Sequence, residues 1–140
     1  MPKLSSKEWR KSRKYLFNNQ IHFVFLTKHR GNILTEEILT RLEAIFRNTC
    51  KKMKCEVLKF EGKSDYVHLL VSIHPTVSIS VLSGKLKGTS SHLLLKQFET
   101  QLKDHLLNKH FWASSYMAVS EGNIILESIQ EFLTQDKVMD

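Results

Sequence analysis

Tyr66 and His68 stand two residues apart in the run Asp65-Tyr66-Val67-His68-Leu69-Leu70-Val71, whose β-branched and aromatic content favours an extended strand. Side chains two apart on a strand share a face, so Tyr66, His68 and Leu70 point one way and Val67, Leu69 and Val71 the other. Two imidazoles at 66 and 68 would form a metal clamp. A phenol with a pKa of about 10 is a poor ligand for magnesium at neutral pH, whereas a neutral imidazole donates readily. Tyr66 therefore reads either as a strand residue on an open sheet face or as a platform for a stacked base, and His68 either as a hydrogen-bonded histidine or as a residual ligand for metal or phosphate. His22, His29, His74, His92, His105 and His110 show no ligand spacing and read as surface or packing residues.

The second chemical signal is charge. Residues 1 to 14 carry Lys3, Lys7, Arg10, Lys11, Arg13 and Lys14 against Glu8 alone, which is +5 of a net +7 and leaves +2 for the remaining chain. Such an arm is either a solvated tail or a phosphate-binding segment whose affinity falls steeply with salt. Lys59, Lys63, Lys85 and Lys87 either extend it into a groove for phosphates or are simply solvated.

Two cysteines, Cys50 and Cys55, lie where a helix gives way to a strand, with no second pair to complete a four-ligand zinc site. Buried, idle thiols in a reducing compartment are expected. The apolar residues after the basic arm are interrupted by Asn18-Asn19-Gln20, which suits neither a signal peptide nor a membrane span. The expectation is a soluble, cytoplasmic protein: a basic arm over 1–14 and one domain over 15–140, long enough to bury a core without staples.

The elements that must position Tyr66 and His68 follow from periodicity. Residues 21–27 (Ile-His-Phe-Val-Phe-Leu-Thr) read as a central strand ending in a Lys28-His29-Arg30-Gly31 turn. Thr35 can cap a helix carrying Glu36 and Glu37 in its first turn and an apolar stripe at Ile38, Leu42, Ile45, Phe46, Thr49 and Met53, predicting a helix over 35–53. Strands follow at 56–61 and 66–73, paired antiparallel across Gly62-Lys63-Ser64 and closed by Pro75. A second long helix is expected from Ser78 through Phe98, with Gly88 as its weak point, then a short helix at 99–108. Tyr116 to Ser120 reads as a fourth strand. After Gly122-Asn123, Ile125, Ile129, Phe132 and Leu133 mark a final amphipathic helix. This order matches an α+β ferredoxin-like plait, with a single antiparallel sheet, helices on one face and an added C-terminal helix.

Four segments in this order resemble the small single-tyrosine transposases of bacterial and archaeal insertion sequences, whose signature is histidine-hydrophobe-histidine. The strand His22 to Arg30 is similar to the family's opening strand, and Asp65 to Val71 resembles its Asp-His-Val-His-Leu-Leu-Val. Leu86-Lys87-Gly88-Thr89-Ser90-Ser91 resembles its Leu-Lys-Gly-x-Ser-Ser helix, and Phe111-Trp112 with Tyr116 its Leu-Trp-Ser-x-x-Tyr segment. The resemblance covers about Tyr15 to Asp136. It implies a site in which two histidines and a polar residue of the last helix hold Mg2+ or Mn2+ on the scissile phosphate while a tyrosine of that helix attacks, leaving a phosphotyrosine link to single-stranded DNA.

By that resemblance His68 holds the second histidine position and Tyr66 the first. Aligning Ile129 to Asp136 with the family's Ile-Lys-Lys-Tyr-Ile-Glu-Asn-Gln puts Phe132 at the nucleophile and Asp136 at the polar ligand, with Gln135 one residue off. Phenylalanine has no oxygen to attack with. Simple packing also explains Phe132, which shares an apolar stripe with Ile125 and Ile129. Tyr15 and Tyr116 are the other tyrosines, and Tyr116 matches a position that is not the nucleophile.

The favoured expectation is a descendant that binds single-stranded DNA or an RNA hairpin, as a homodimer and away from membranes, without cleaving it. The candidate phosphate contacts are Arg10, Lys11, Arg13, Lys14, Lys28, Arg30, Lys63, Lys85 and Lys87. Two alternatives stay open: an active transposase with variant residues, and a metal-dependent hydrolytic nuclease using His68, Asp136 and Asp65 with water in place of tyrosine.

Overall fold

A computed structural model of the protein describes residues 10–11, 16–106, 110–121 and 125–134. Arg13, Lys14 and Asp136, all named above as candidate site residues, lie outside the described residues, as do Tyr15, Gln135 and the Gly122-Asn123 break.

The elements are β1 (Arg10–Lys11), β2 (Leu16–Phe17), β3 (Gln20–Thr27), α1 (Glu36–Lys52), β4 (Glu56–Gly62), β5 (Tyr66–Ser72), α2 (Ile79–Gln97), α3 (Glu99–Leu106), β6 (Trp112–Ser120) and α4 (Ile125–Thr134). Four strands form one antiparallel sheet in the order β4-β5-β3-β6. β3 is central, as its largely apolar composition predicts, and Ile21 through Thr27 are all buried.

Helix boundaries follow local chemistry. The Thr35 hydroxyl accepts the Ile38 N–H at 3.2 Å and starts α1, and the Ser78 hydroxyl accepts the Val81 N–H at 3.1 Å and starts α2. Gly88 does not interrupt α2, and nothing lies within 4 Å of where its Cβ would be.

Alternation along the strands divides the protein into two layers of core. Phe23, Phe25, Val67, Leu69 and Val71 face Ile38, Leu42, Ile45 and Phe46 of α1 and Leu82, Leu86 and Leu94 of α2, with Leu102 of α3 joining the same cluster. Phe46 meets Phe25 edge-on at 5.9 Å between ring centroids and lies at 6.4 Å from Trp112. The opposite face carries a smaller cluster of Val24, Leu26, Ala113 and Ile129, so α4 covers the sheet from the other side.

Two segments differ from the pattern read in the sequence. β6 begins at Trp112 and not at Tyr116, because Trp112 pairs with Thr27 across a register shift that carries the polar Ser114-Ser115 pair into the ladder. Arg10 and Lys11, counted with the basic arm, pair antiparallel with Leu16–Phe17. Among the described residues no helix is long and apolar enough to cross a membrane.

Both cysteines are free and buried. Burial, with a smaller contribution from Cys55, pushes the Cys50 thiol up to about 12, so it stays protonated and unreactive at neutral pH. Iodoacetamide at pH 8 is expected to leave Cys50 unlabelled in the folded chain and to alkylate it after denaturation. Fast labelling of native Cys50, read by mass spectrometry, would contradict this packing.

Candidate functional site

The sheet face beneath α4 gathers the residues singled out by chemistry. β3 and β5 pair so that Val24 lies opposite His68, Leu26 opposite Tyr66 and His22 opposite Leu70. His22 and His68 are therefore diagonal neighbours on one face, within reach of each other's long side chains.

Their contact is direct. His22 Nδ1 lies 2.8 Å from His68 Nε2, and the rings stack at 5.0 Å between centroids with a 28° tilt. The outer nitrogens meet carboxylates: His68 Nδ1 lies 3.0 Å from Glu61 Oε1, and His22 Nε2 lies 2.9 Å from Glu121 Oε2. Four side chains thus form one line, Glu61-His68-His22-Glu121. Strand pairing sets it, because Glu61 is the cross-strand partner of His68 and the Glu121 N–H donates to the Gln20 carbonyl at 3.0 Å. The imidazoles are largely buried, at 9% and 18% side-chain exposure, while the carboxylates reach solvent.

His22, Glu61 and Glu121 carried no signal in the sequence. Each became visible only through the register of β3 on β5 and the end of β6 on β3.

Tyr66 and Phe132 both pack against the small cluster of Val24, Leu26, Ala113 and Ile129. Burial, reinforced by the negative charges of Glu61 and Asp65 and opposed by Arg30, raises the Tyr66 pKa above that of an ordinary phenol. Its oxygen is therefore protonated at neutral pH. A hard cation such as Mg2+ wants several anionic or carbonyl oxygens. Tyr66 supplies a neutral phenol, and both His68 nitrogens are engaged by protein groups, so these residues do not fit the cation centre implied by the family resemblance. Among the described residues no group of three or more histidine, cysteine or acidic side chains is placed to hold a metal ion.

Several candidate phosphate contacts are engaged in holding the site together. Two consecutive residues of the Lys28–Arg30 turn are left-handed, His29 at φ 55° and Arg30 at φ 54°. This backbone swings its guanidinium onto Asp65, with Nε and the second terminal nitrogen 2.9 and 2.8 Å from Oδ2, while Nη1 donates to the Leu133 carbonyl of α4 at 3.3 Å. Arg30 thus joins the start of β5 to the negative end of the helix that covers it.

Lys87 plays a similar part on the other edge. Its ammonium donates to the Ala113 carbonyl at 2.6 Å and lies 5.6 Å from the Tyr116 ring centroid, and burial lowers its pKa. Beside it the Trp112 indole N–H donates to Ser90 Oγ at 2.9 Å, and Ser90 Oγ donates to the Lys87 carbonyl. Arg10 donates to the Ser72 and Lys54 carbonyls at 3.0 and 2.7 Å and sits over the Phe17 ring.

The remaining cations are spread along the surface. Lys11 and Lys63 are exposed, the latter in the turn between β4 and β5. Lys28, with Lys87, Ser91, His110 and Ser114, lines a groove of about 390 Å³ at the junction of α2 and β6. Lys85 lies with Arg41 and Lys52 on a second groove of about 510 Å³ between α1 and α2.

Residues 15–136 match the family described as IS200-like transposase. The transposase for insertion sequence element IS200 of Salmonella typhimurium is 32% identical over 125 residues, spanning 87% of this chain and 82% of its own. The ISDra2 transposase TnpA of Deinococcus radiodurans is 29% identical over 126 residues, spanning 90% and 89%. Among solved structures, a candidate transposase from Deinococcus radiodurans superposes with a TM-score of 0.81 at 27% identity, over 89% of this chain and 95% of that one. A REP-associated tyrosine transposase bound to a REP hairpin shares the fold, with a TM-score of 0.51 at 11% identity over 86% and 67%.

The Arg30 contacts generate a direct test. Arg30→Ala is expected to speed amide exchange in residues 129–134 about tenfold, consistent with the loss of charge-assisted hydrogen bonds worth roughly 1.5 kcal/mol, while leaving β3 protected. Unchanged exchange in α4 would show that Arg30 does not hold the helix.

Proposed function

Because the chain belongs to the IS200-like transposase family, we propose that it binds hairpin-forming single-stranded nucleic acid and no longer performs tyrosine-linked strand cleavage. The observation that carries this reading is the packing of Phe132 and Tyr66 against one small apolar cluster, on the face where the family resemblance puts nucleophile and ligand. A phenyl ring cannot form a phosphodiester link, and a protonated phenol cannot replace an imidazole on a hard cation.

Binding makes weaker demands. It needs a basic surface with accessible donors and a shape that tracks a backbone, and Lys11, Lys28, Lys63 and Lys85 offer cations along the sheet ends and helices. Arg13 and Lys14 of the arm would add to these. The hairpin held by the REP-associated transposase supplies the ligand shape for this reading. On the same reading the protein acts as a homodimer in the cytoplasm, and its scaffold serves recognition and not the Mg2+- or Mn2+-assisted chemistry that the family resemblance implies.

Gel-shift titrations over a salt series test the binding half. Affinity for DNA hairpins is expected to exceed that for unstructured strands of equal length and to fall steeply as salt rises. Equal affinity for both, or a flat salt response, would refute it.

The losses are also reversible in principle. The double change Tyr66→His and Phe132→Tyr is expected to recover detectable cleavage of hairpin-bearing single strands in manganese, and Phe132→Tyr alone to recover little. Silence of the double variant would locate further losses elsewhere or overturn the alignment of α4.

A further inference from the structure

We propose that the groove between α1 and α2 seats a short unpaired segment of a nucleic acid strand, with phosphates on Arg41, Lys52 and Lys85 and a base against the groove's apolar floor. The inference rests on the nucleic-acid-binding reading above and gives it a place, on the opposite side of the sheet from Tyr66 and Phe132.

Helical periodicity builds the groove. On α1, Arg41, Ile45, Asn48 and Lys52 recur every three or four residues and share one face, and on α2 Lys85, Thr89 and Leu93 do the same at every fourth position. Together they line a space of about 510 Å³, a size that takes a small organic ligand. Its charge is one-sided, with three cations and no acidic side chain in the lining. The acidic Glu43 of α1 is turned elsewhere, its carboxylate held by Arg47 at 2.9 Å while Arg47 reaches the Val57 carbonyl of β4. Among the described residues no carboxylate pairs with Arg41, Lys52 or Lys85.

The order of groups along the groove selects the occupant. Arg41 Nε donates to the neutral Gln97 amide oxygen at 2.9 Å, which fixes the guanidinium without neutralising it. From that contact Lys52 lies about 16 Å along α1 and Lys85 about 18 Å along α2, at the helical rise per residue. Positive charge therefore stands at both ends. Ala44, Ile45 and Leu93 lie between as an apolar floor, extended by Met53, while Asn48 and Thr89 offer hydrogen-bonding groups. A nucleotide strand alternates phosphates, which seek cations, with flat bases that cover apolar surface and present donors and acceptors at their edges. A duplex keeps its bases stacked and paired, so only an unpaired segment offers both. No aromatic side chain is in the lining, so discrimination between bases is expected to be weak.

Nuclear magnetic resonance of the full chain titrated with the 5'-phosphorylated thymidine dinucleotide pTpT tests the placement. Shifts are expected at the Asn48 side-chain amide and the Met53 and Leu93 methyls, and not on the α4 face. In gel shifts, Lys52→Gln combined with Lys85→Gln is expected to weaken binding of a single-stranded oligonucleotide about tenfold and to lower its log-log salt slope by about 1.4, the value for two lost phosphate contacts. Both lysines are exposed, so the double variant is expected to fold; should it not, the pTpT shifts in the unaltered protein decide. Shifts confined to other surfaces, or a folded double variant that binds as tightly as the unaltered chain, would overturn the groove and leave nucleic-acid binding elsewhere intact. Groove shifts together with equal affinity for hairpins and unstructured strands would support the groove and refute hairpin preference instead. Thymidine 5'-monophosphate bound as tightly as the oligonucleotide would assign the groove to a free nucleotide, and tighter binding of poly-glutamate would assign it to an acidic peptide; either overturns the proposal.

Discussion

The antiparallel register of β3 on β5 is the constraint on which the rest depends. With Val24 opposite His68, one face of the two strands presents Phe23, Phe25, Val67, Leu69 and Val71 to α1 and α2, and the other presents His22, Leu26, Tyr66 and His68 to α4 and solvent. A slip of β3 by one residue would reverse every side chain on it, burying His22 in the aromatic core and exposing Phe23 and Phe25. The core therefore enforces the chemistry of the opposite face. The aromatic contacts of Phe25 with Phe46, Trp112 and Tyr116 make that enforcement strong.

Segments that resemble the transposase motifs are joined by hydrogen bonds that position the sheet and its covering helix. Ser90 of α2 accepts from Trp112, Lys87 reaches the Ala113 carbonyl, and Arg30 links Asp65 to Leu133. These contacts hold the sheet and its covering helix together. The same accounting divides the basic residues: Arg10, Arg30 and Lys87 spend their donors within the chain, while Lys11, Lys63 and Lys85 remain at the exposed surface.

Much of the fold was legible in the residues because local chemistry and tertiary structure agree. The apolar run at 21–27 could only be a central strand, and Thr35 with Glu36 and Glu37 marked a helix start that the structure begins one residue later. The start of β6 was not legible, since Ser114 and Ser115 look like loop and become strand only by pairing with β3. Nor was the His22-His68 contact. Its spacing of 46 residues has no meaning until two strands are laid side by side, and Glu121 joins only because β6 ends next to the start of β3. Tyr66 and Phe132 were singled out by the resemblance, and their shared apolar surroundings follow from the stripe on α4.

The central claim is that a transposase scaffold here recognises nucleic acid without forming a covalent bond to it. Its most direct test is a denaturing gel of the unaltered protein incubated with hairpin-bearing single-stranded DNA and either Mg2+ or Mn2+. The account predicts intact DNA and no protein-DNA adduct under conditions in which the complex is fully formed. An adduct that survives denaturation would contradict it by revealing a working tyrosine, and shortened strands without an adduct would contradict it by revealing hydrolysis.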